Sequence, residues 1–99
     1  MDHAALETQF QRIADAIEQH QSDRLVTETF ETARTLCAET AAHTSDAAAR
    51  TLFTNVQTAL DTWQAVWPRL GAQKEFRHAV AREAALWARK LGQTHQAHD

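Results

Sequence analysis

Between residues 51 and 67 the apolar side chains fall at Leu52, Val56, Leu60, Trp63 and Trp67, in steps of four, four, three and four. That spacing holds them on one face of a helix, and two of the chain's three tryptophans lie on it. So much aromatic surface needs cover from other segments. Three more stripes of helical period supply it.

Leu6, Phe10, Ile13 and Ile17 predict a first helix over about 2–20, with Asp2 as its N-cap. Continued at about 100° per residue, its face would use His20, Arg24 and Glu28. The apolar residues resume instead at Val26, Phe30, Ala33 and Cys37, about half a turn out of phase. A break near Gln21 follows, with Ser22 or Asp23 capping a second helix that runs to about 42. Leu25, Thr29, Leu36 and Thr40 widen the apolar face of this helix. A face that wide suits two neighbours, or a second copy of the chain paired symmetrically in a homodimer.

The next junction is less sharp, because Cys37, Ala41, Ser45, Ala48 and Leu52 continue one face without losing phase. The capping residues His43-Thr44-Ser45-Asp46 favour a break and a third helix over about 45–66. The alternative is three helices, with a long one from about 23 to 66. Pro68 lacks an N–H and disfavours helical geometry at Trp67, so the third helix should end before it, and Gly71 completes the turn. The fourth helix, about 72–91, carries Phe76, Val80, Ala84, Trp87 and Leu91, with Gly92 as its stop. In antiparallel register Phe76 would lie near Trp63, and Trp87 near Phe53 and Ala49.

These elements predict an all-α fold, an antiparallel up-down-up-down four-helix bundle spanning a single domain over 1–92. Residues 93–99 carry no apolar pattern and are expected to form a disordered tail. Composition agrees. The 99 residues include only two glycines and one proline, all beyond residue 67, far too few turn residues for a β-protein. No apolar run approaches the roughly 20 residues that cross a bilayer, and no secretory leader is visible, so no membrane association is expected. The single cysteine, Cys37, has no internal disulfide partner. A cytoplasmic protein is the expectation.

Charge changes the picture more. Residues 1–68 hold four basic and ten acidic side chains; residues 69–99 hold six basic and three acidic. Either the basic last helix lies beside acidic neighbours, or it offers a basic surface to an acidic partner.

Candidate chemistry is sparse. Glu75-Phe-Arg-His78 matches the Glu-x-x-His element of di-iron bundles once, where such a site needs it twice with two further inward glutamates. Both residues also point away from the expected core. No metal or cofactor is expected. Cys37 continues an apolar stripe and reads as a small core residue. Two glycines leave no backbone cradle for phosphate, and no nucleophile elbow or catalytic carboxylate pair is found. The chain therefore reads as non-enzymatic. Glu83 flanks the apolar face between Val80 and Trp87; if buried it would need a cation such as Arg12 or Arg50.

The fourth helix also bears His78, Arg82, Leu86 and Arg89 on the side away from its apolar stripe. A leucine between arginines on an outward face suits a docking strip, since arginine is enriched at interfaces. The reading that follows is a non-catalytic protein–protein interaction module: an adaptor, a small chaperone or an assembly subunit. Its partner would be a protein of acidic character. The alternative is a nucleic-acid-binding or HEPN-like ribonuclease domain using the basic last helix, where Arg89 and His95 fit that family's loose Arg…His spacing. The formal net charge of −3 and the lack of interleaved aromatic and basic residues oppose it, so nucleic acid is not the expected partner.

Overall fold

Each apolar stripe forms a helix in the computed structural model, which describes residues 3–97, with side chains described for 4–93. The helices are α1 (His3–Glu18), α2 (Asp23–Ala42), α3 (Ala47–Leu70) and α4 (Lys74–Ala97). Asp2, the expected cap of α1, lies outside the described residues. The bundle runs up-down-up-down. α1 packs on α2 and most extensively on α4, and α2 packs on α3. α3 meets α4 only sparsely, while the pairs α1/α3 and α2/α4 stand on the diagonals. The longest dimension is 38 Å, close to the ~36 Å of a 24-residue helix.

The first break falls where the phase slip demands it. His20 adopts a left-handed backbone (φ 56°). The Gln21 N–H reaches back to Ala16 O (3.0 Å) and the His20 N–H to Ile17 O (3.1 Å), a Schellman turn with histidine where glycine is usual. Ser22 then caps α2 by accepting the Leu25 N–H at 3.3 Å. The second break is also real, which removes the long helix from 23 to 66. Asp46 accepts the Ala49 N–H at 3.0 Å, and Arg50 Nε donates to Thr44 O at 3.0 Å, tying the loop to α3.

The third turn lies later than expected. α3 continues through Pro68 to Leu70. Proline removes one backbone bond and disfavours helix at Trp67. Packing overrides that bias. The Trp67 indole is held edge-on to Phe30 (5.5 Å between ring centroids) and tilted against Phe76 (5.8 Å). Gly71 closes the helix with its N–H on Trp67 O at 2.8 Å, and a Cβ at Gly71 would meet the indole Nε1 at 2.9 Å. The later turn shifts the register, so Phe76 meets Trp67 and not the expected Trp63.

α4 shows the largest departures. Its buried residues are Val80, Ala81, Ala84, Ala88 and Leu91, while Phe76 and Trp87 are only half-buried. The buried face is thus turned about 50° from the expected stripe, toward the alanines that meet α1. Trp87 is not the core anchor that periodicity suggested. Nor does Gly92 stop the helix, which continues to Ala97, so residues 93–97 of the expected disordered tail are helical. Gly92 has no positive φ; a Cβ there would lie 2.9 Å from the Glu7 carboxylate, so glycine serves the close approach of α1. His98 and Asp99 lie outside the described residues.

The core joins all four helices. Phe10, Phe30 and Trp63 form an aromatic cluster, with Trp63 6.2 Å from Phe10 and 6.1 Å from Phe30 between ring centroids. Four threonines of α3 (Thr51, Thr54, Thr58 and Thr62) each donate to a carbonyl four residues back, so their hydroxyls fit an exposed helical face. The wide face of α2 serves two neighbours. Gln9 Nε2 on α1 donates to Thr29 O (3.2 Å), and Arg34 Nη1 donates to Gln64 Oε1 on α3 (3.0 Å). Val26 and Phe30 are buried and Leu36 is half-buried, which leaves only Leu25 for the symmetric dimer that this face suggested.

Candidate functional site

The rotation of α4 defines its solvent side. Opposite the buried face stands Leu86, 52% exposed, with Arg82, Arg89 and His78 exposed beside it. Along the helix axis the strip from His78 to Arg89 is about 17 Å long. It joins two hollows. His78 and Arg82 edge a groove floored by Ile17, Ala81 and Ala85, whose far wall is the α1–α2 turn with Glu18, His20 and Asp23. Leu86 and Arg89 edge a shallower depression with Glu83, Trp87 and Lys90. Lys90 Nζ sits 5.1 Å from the Trp87 ring centroid, a cation–π contact that leaves part of the indole in solvent.

The charge asymmetry can now be placed. Among the described residues, ion pairs join Arg24 to Glu28 (3.3 Å) and Arg34 to Asp61 (2.9 Å). Among those residues Lys74, Arg82 and Arg89 have no carboxylate within pairing distance. The basic helix has acidic groups nearby, Glu7 against Gly92 and Glu18 and Asp23 across the groove, but these do not form ion pairs with Lys74, Arg82 or Arg89. It packs on α1 through alanines and turns its cations outward.

Arg77 is the exception, and periodicity missed it. Its Nη1 donates to Gly71 O (2.9 Å), its Nη2 to Ile17 O (3.4 Å), and its guanidinium lies 5.4 Å from the Trp67 ring centroid. It thus neutralises the negative ends of α1 and α3 at once. A signal was present: Arg77, Ala81, Ala84 and Ala88 share one face at helical spacing, but alanine carries too little hydrophobicity to mark it.

The remaining candidates resolve simply. Glu75 and His78 face solvent, and among the described residues no group of three His, Cys, Asp or Glu is placed to hold a metal ion. Glu83 is exposed, so it needs no buried cation, and neither Arg12 nor Arg50 pairs with it. Cys37 is buried in the core and its thiol donates to Phe53 O at 3.3 Å. Burial, and secondarily the charge of Asp61, push that thiol up from 9.0 to about 11. At neutral pH the thiol is held overwhelmingly in its protonated form, as expected of a core cysteine. The side chain of His95 lies outside the described residues, but α4 is continuous from Arg89 through Ala97. Six positions along a helix set Arg89 and His95 about 120° apart, on different faces.

Comparison with known protein families, curated proteins and solved structures finds no match. Function has to be read from the surface of α4 itself.

Proposed function

We propose that this protein is a non-catalytic helical interaction module, an adaptor, small chaperone or assembly subunit. It engages an acidic protein surface through the outward face of α4. The observation that carries the reading is Leu86, more than half exposed between two arginines that form no ion pair among the described residues. A solitary exposed leucine is ordinary. One set between unpaired cations, beside a half-exposed tryptophan, supplies the apolar anchor and the steering charge that an interface needs. No helix among the described residues is long and apolar enough to cross a membrane. A lone buried thiol suits a reducing compartment, and the reading places the protein in the cytoplasm.

The test is retention of a partner by the full chain and by the variants Arg82→Glu and Leu86→Ala. Both substitutions are at the surface and should leave the melting temperature and helical signal as in the parent. The parent should hold a protein that each variant loses. Two folded variants that hold it as tightly as the parent would reduce the strip to a solvated face. Retention of nucleic acid with a steep loss between low and moderate salt would instead favour a phosphate-binding role.

A further inference from the structure

Two large apolar side chains stand in solvent among the described residues: Leu86 on α4, at 52%, and Leu25 on α2, at 44%. Their surroundings are opposite in charge. The exposed charges of α2 are Asp23, Glu28, Glu31 and Glu39 against Arg24, and Arg24 is already engaged by Glu28 at 3.3 Å. Among the described residues Glu31 and Glu39 have no cation within pairing distance. On α4, Leu86 has the unpaired Arg82 and Arg89 beside it. The nearest charges to Leu25 are the paired Arg24 and Glu28, and Leu86 has Glu83 as well as the two arginines near it, but the outward face of α2 is acidic on balance and that of α4 basic, so the two are complementary.

One molecule cannot bring these faces together. α2 and α4 occupy diagonal corners of the bundle and meet only across the groove at Asp23, so the remaining outward faces of the two helices are turned apart. We propose that the occupant of the α4 strip is the acidic α2 face of a second copy of this chain, with Leu86 of one copy packed near Leu25 of the next. This rests on the reading of α4 as a docking surface and names its partner. Symmetric pairing is disfavoured on either face, because α2 on α2 sets carboxylates against carboxylates and α4 on α4 sets cations against cations. A contact between these unlike faces is heterologous and repeats head to tail, closing into a ring or extending as a chain.

The experiment is sedimentation of the full chain over a wide concentration range at low and high salt. The parent should form species larger than 11.1 kDa that grow with concentration and recede as salt screens the charges. Leu25→Glu keeps the α4 face intact, and Leu86→Glu keeps the α2 face intact. Each variant alone should self-associate about tenfold more weakly or worse, with an unchanged melting temperature. Mixed together, they should form a one-to-one complex of twice the chain mass and nothing larger, because only one productive contact remains. If either charged variant fails to fold, Leu25→Ala and Leu86→Ala serve in its place.

A parent that stays at 11.1 kDa under all conditions overturns the inference. So does undiminished association of either single variant, since a symmetric interface needs only one of the two faces. If the parent is monomeric but Arg82→Glu and Leu86→Ala still lose a different protein partner, the α4 reading stands and only the self-association falls. If Leu86→Glu associates like the parent and α4 variants lose no partner, both fall.

Discussion

α4 has two seams, and they are built on opposite plans. On its buried side it offers Ala81, Ala84, Ala88 and the half-buried Ala85, small residues that suit its close, extensive packing on α1. Gly92 extends that closeness beneath Glu7. Toward α3 it offers Phe76 and Trp87, facing a helix that carries Trp63 and Trp67, and here the two backbones approach only sparsely. Small residues bring backbones together and large ones hold them apart. Leu52 and Ala59 of α3 remain only partly buried, as do Phe76 and Trp87. The tight seam is where α4 is anchored; the loose one is where its aromatic surface stays accessible.

Trp63 gives the largest test of this contrast. Its ring contacts Phe10 and Phe30, so it ties α3 to α1 and α2 and does not depend on the loose seam. Trp63→Ala should cost about 3–5 kcal/mol in chemical denaturation, a large share of the stability of a small domain. A near-parental unfolding midpoint would show that the aromatic cluster is not the centre of the fold.

Overpacking separates the two seams directly. Ala84 is fully buried, and Ala84→Leu should cost about 1–3 kcal/mol because a closely packed core site has no room for a larger side chain. Trp87→Leu, on the half-exposed flank, should cost less. Equal losses, or a larger loss at Trp87, would mean that the loose seam carries as much packing as the tight one.

Gly92 gives the smallest effect and the finest resolution. Glycine within a helix is unfavourable by roughly 0.5–1 kcal/mol relative to alanine. The Cβ of Gly92→Ala would press on the Glu7 carboxylate, the far end of a flexible side chain that can rotate away. A gain of up to about 0.5–1 kcal/mol is expected by thermal or chemical denaturation. A clear loss would show that the Glu7 contact is rigid and that the tight seam extends past residue 92.

Much of this was legible along the chain. The reversal at His20 could be read from the half-turn slip between Ile17 and Val26, and the second break was favoured, though not decided, by the capping potential of Asp46. Exposure of His78, Arg82, Leu86 and Arg89 also followed from spacing, since a position opposite an apolar stripe stays outward even when the stripe is misjudged by about 50°. Whether that outward face docks anything is a question periodicity does not address.

The sequence by itself determined the helical stripes, the reversal near Gln21 and the separation of acidic from basic residues along the chain. These depend on local hydrogen bonding, chain phase and residue order, all of which act within a few turns. Only the tertiary structure decided that α2 and α3 are separate helices, how α4 is rotated, how far α3 runs past Pro68, that Arg77 faces inward, and that Lys74, Arg82 and Arg89 form no ion pair among the described residues. Most of those outcomes depend on the volume of facing side chains. Alanines that count for little in a hydrophobic pattern fix the closest helix contact, and an indole locked by neighbours from two other helices overrides the bias of the proline beside it.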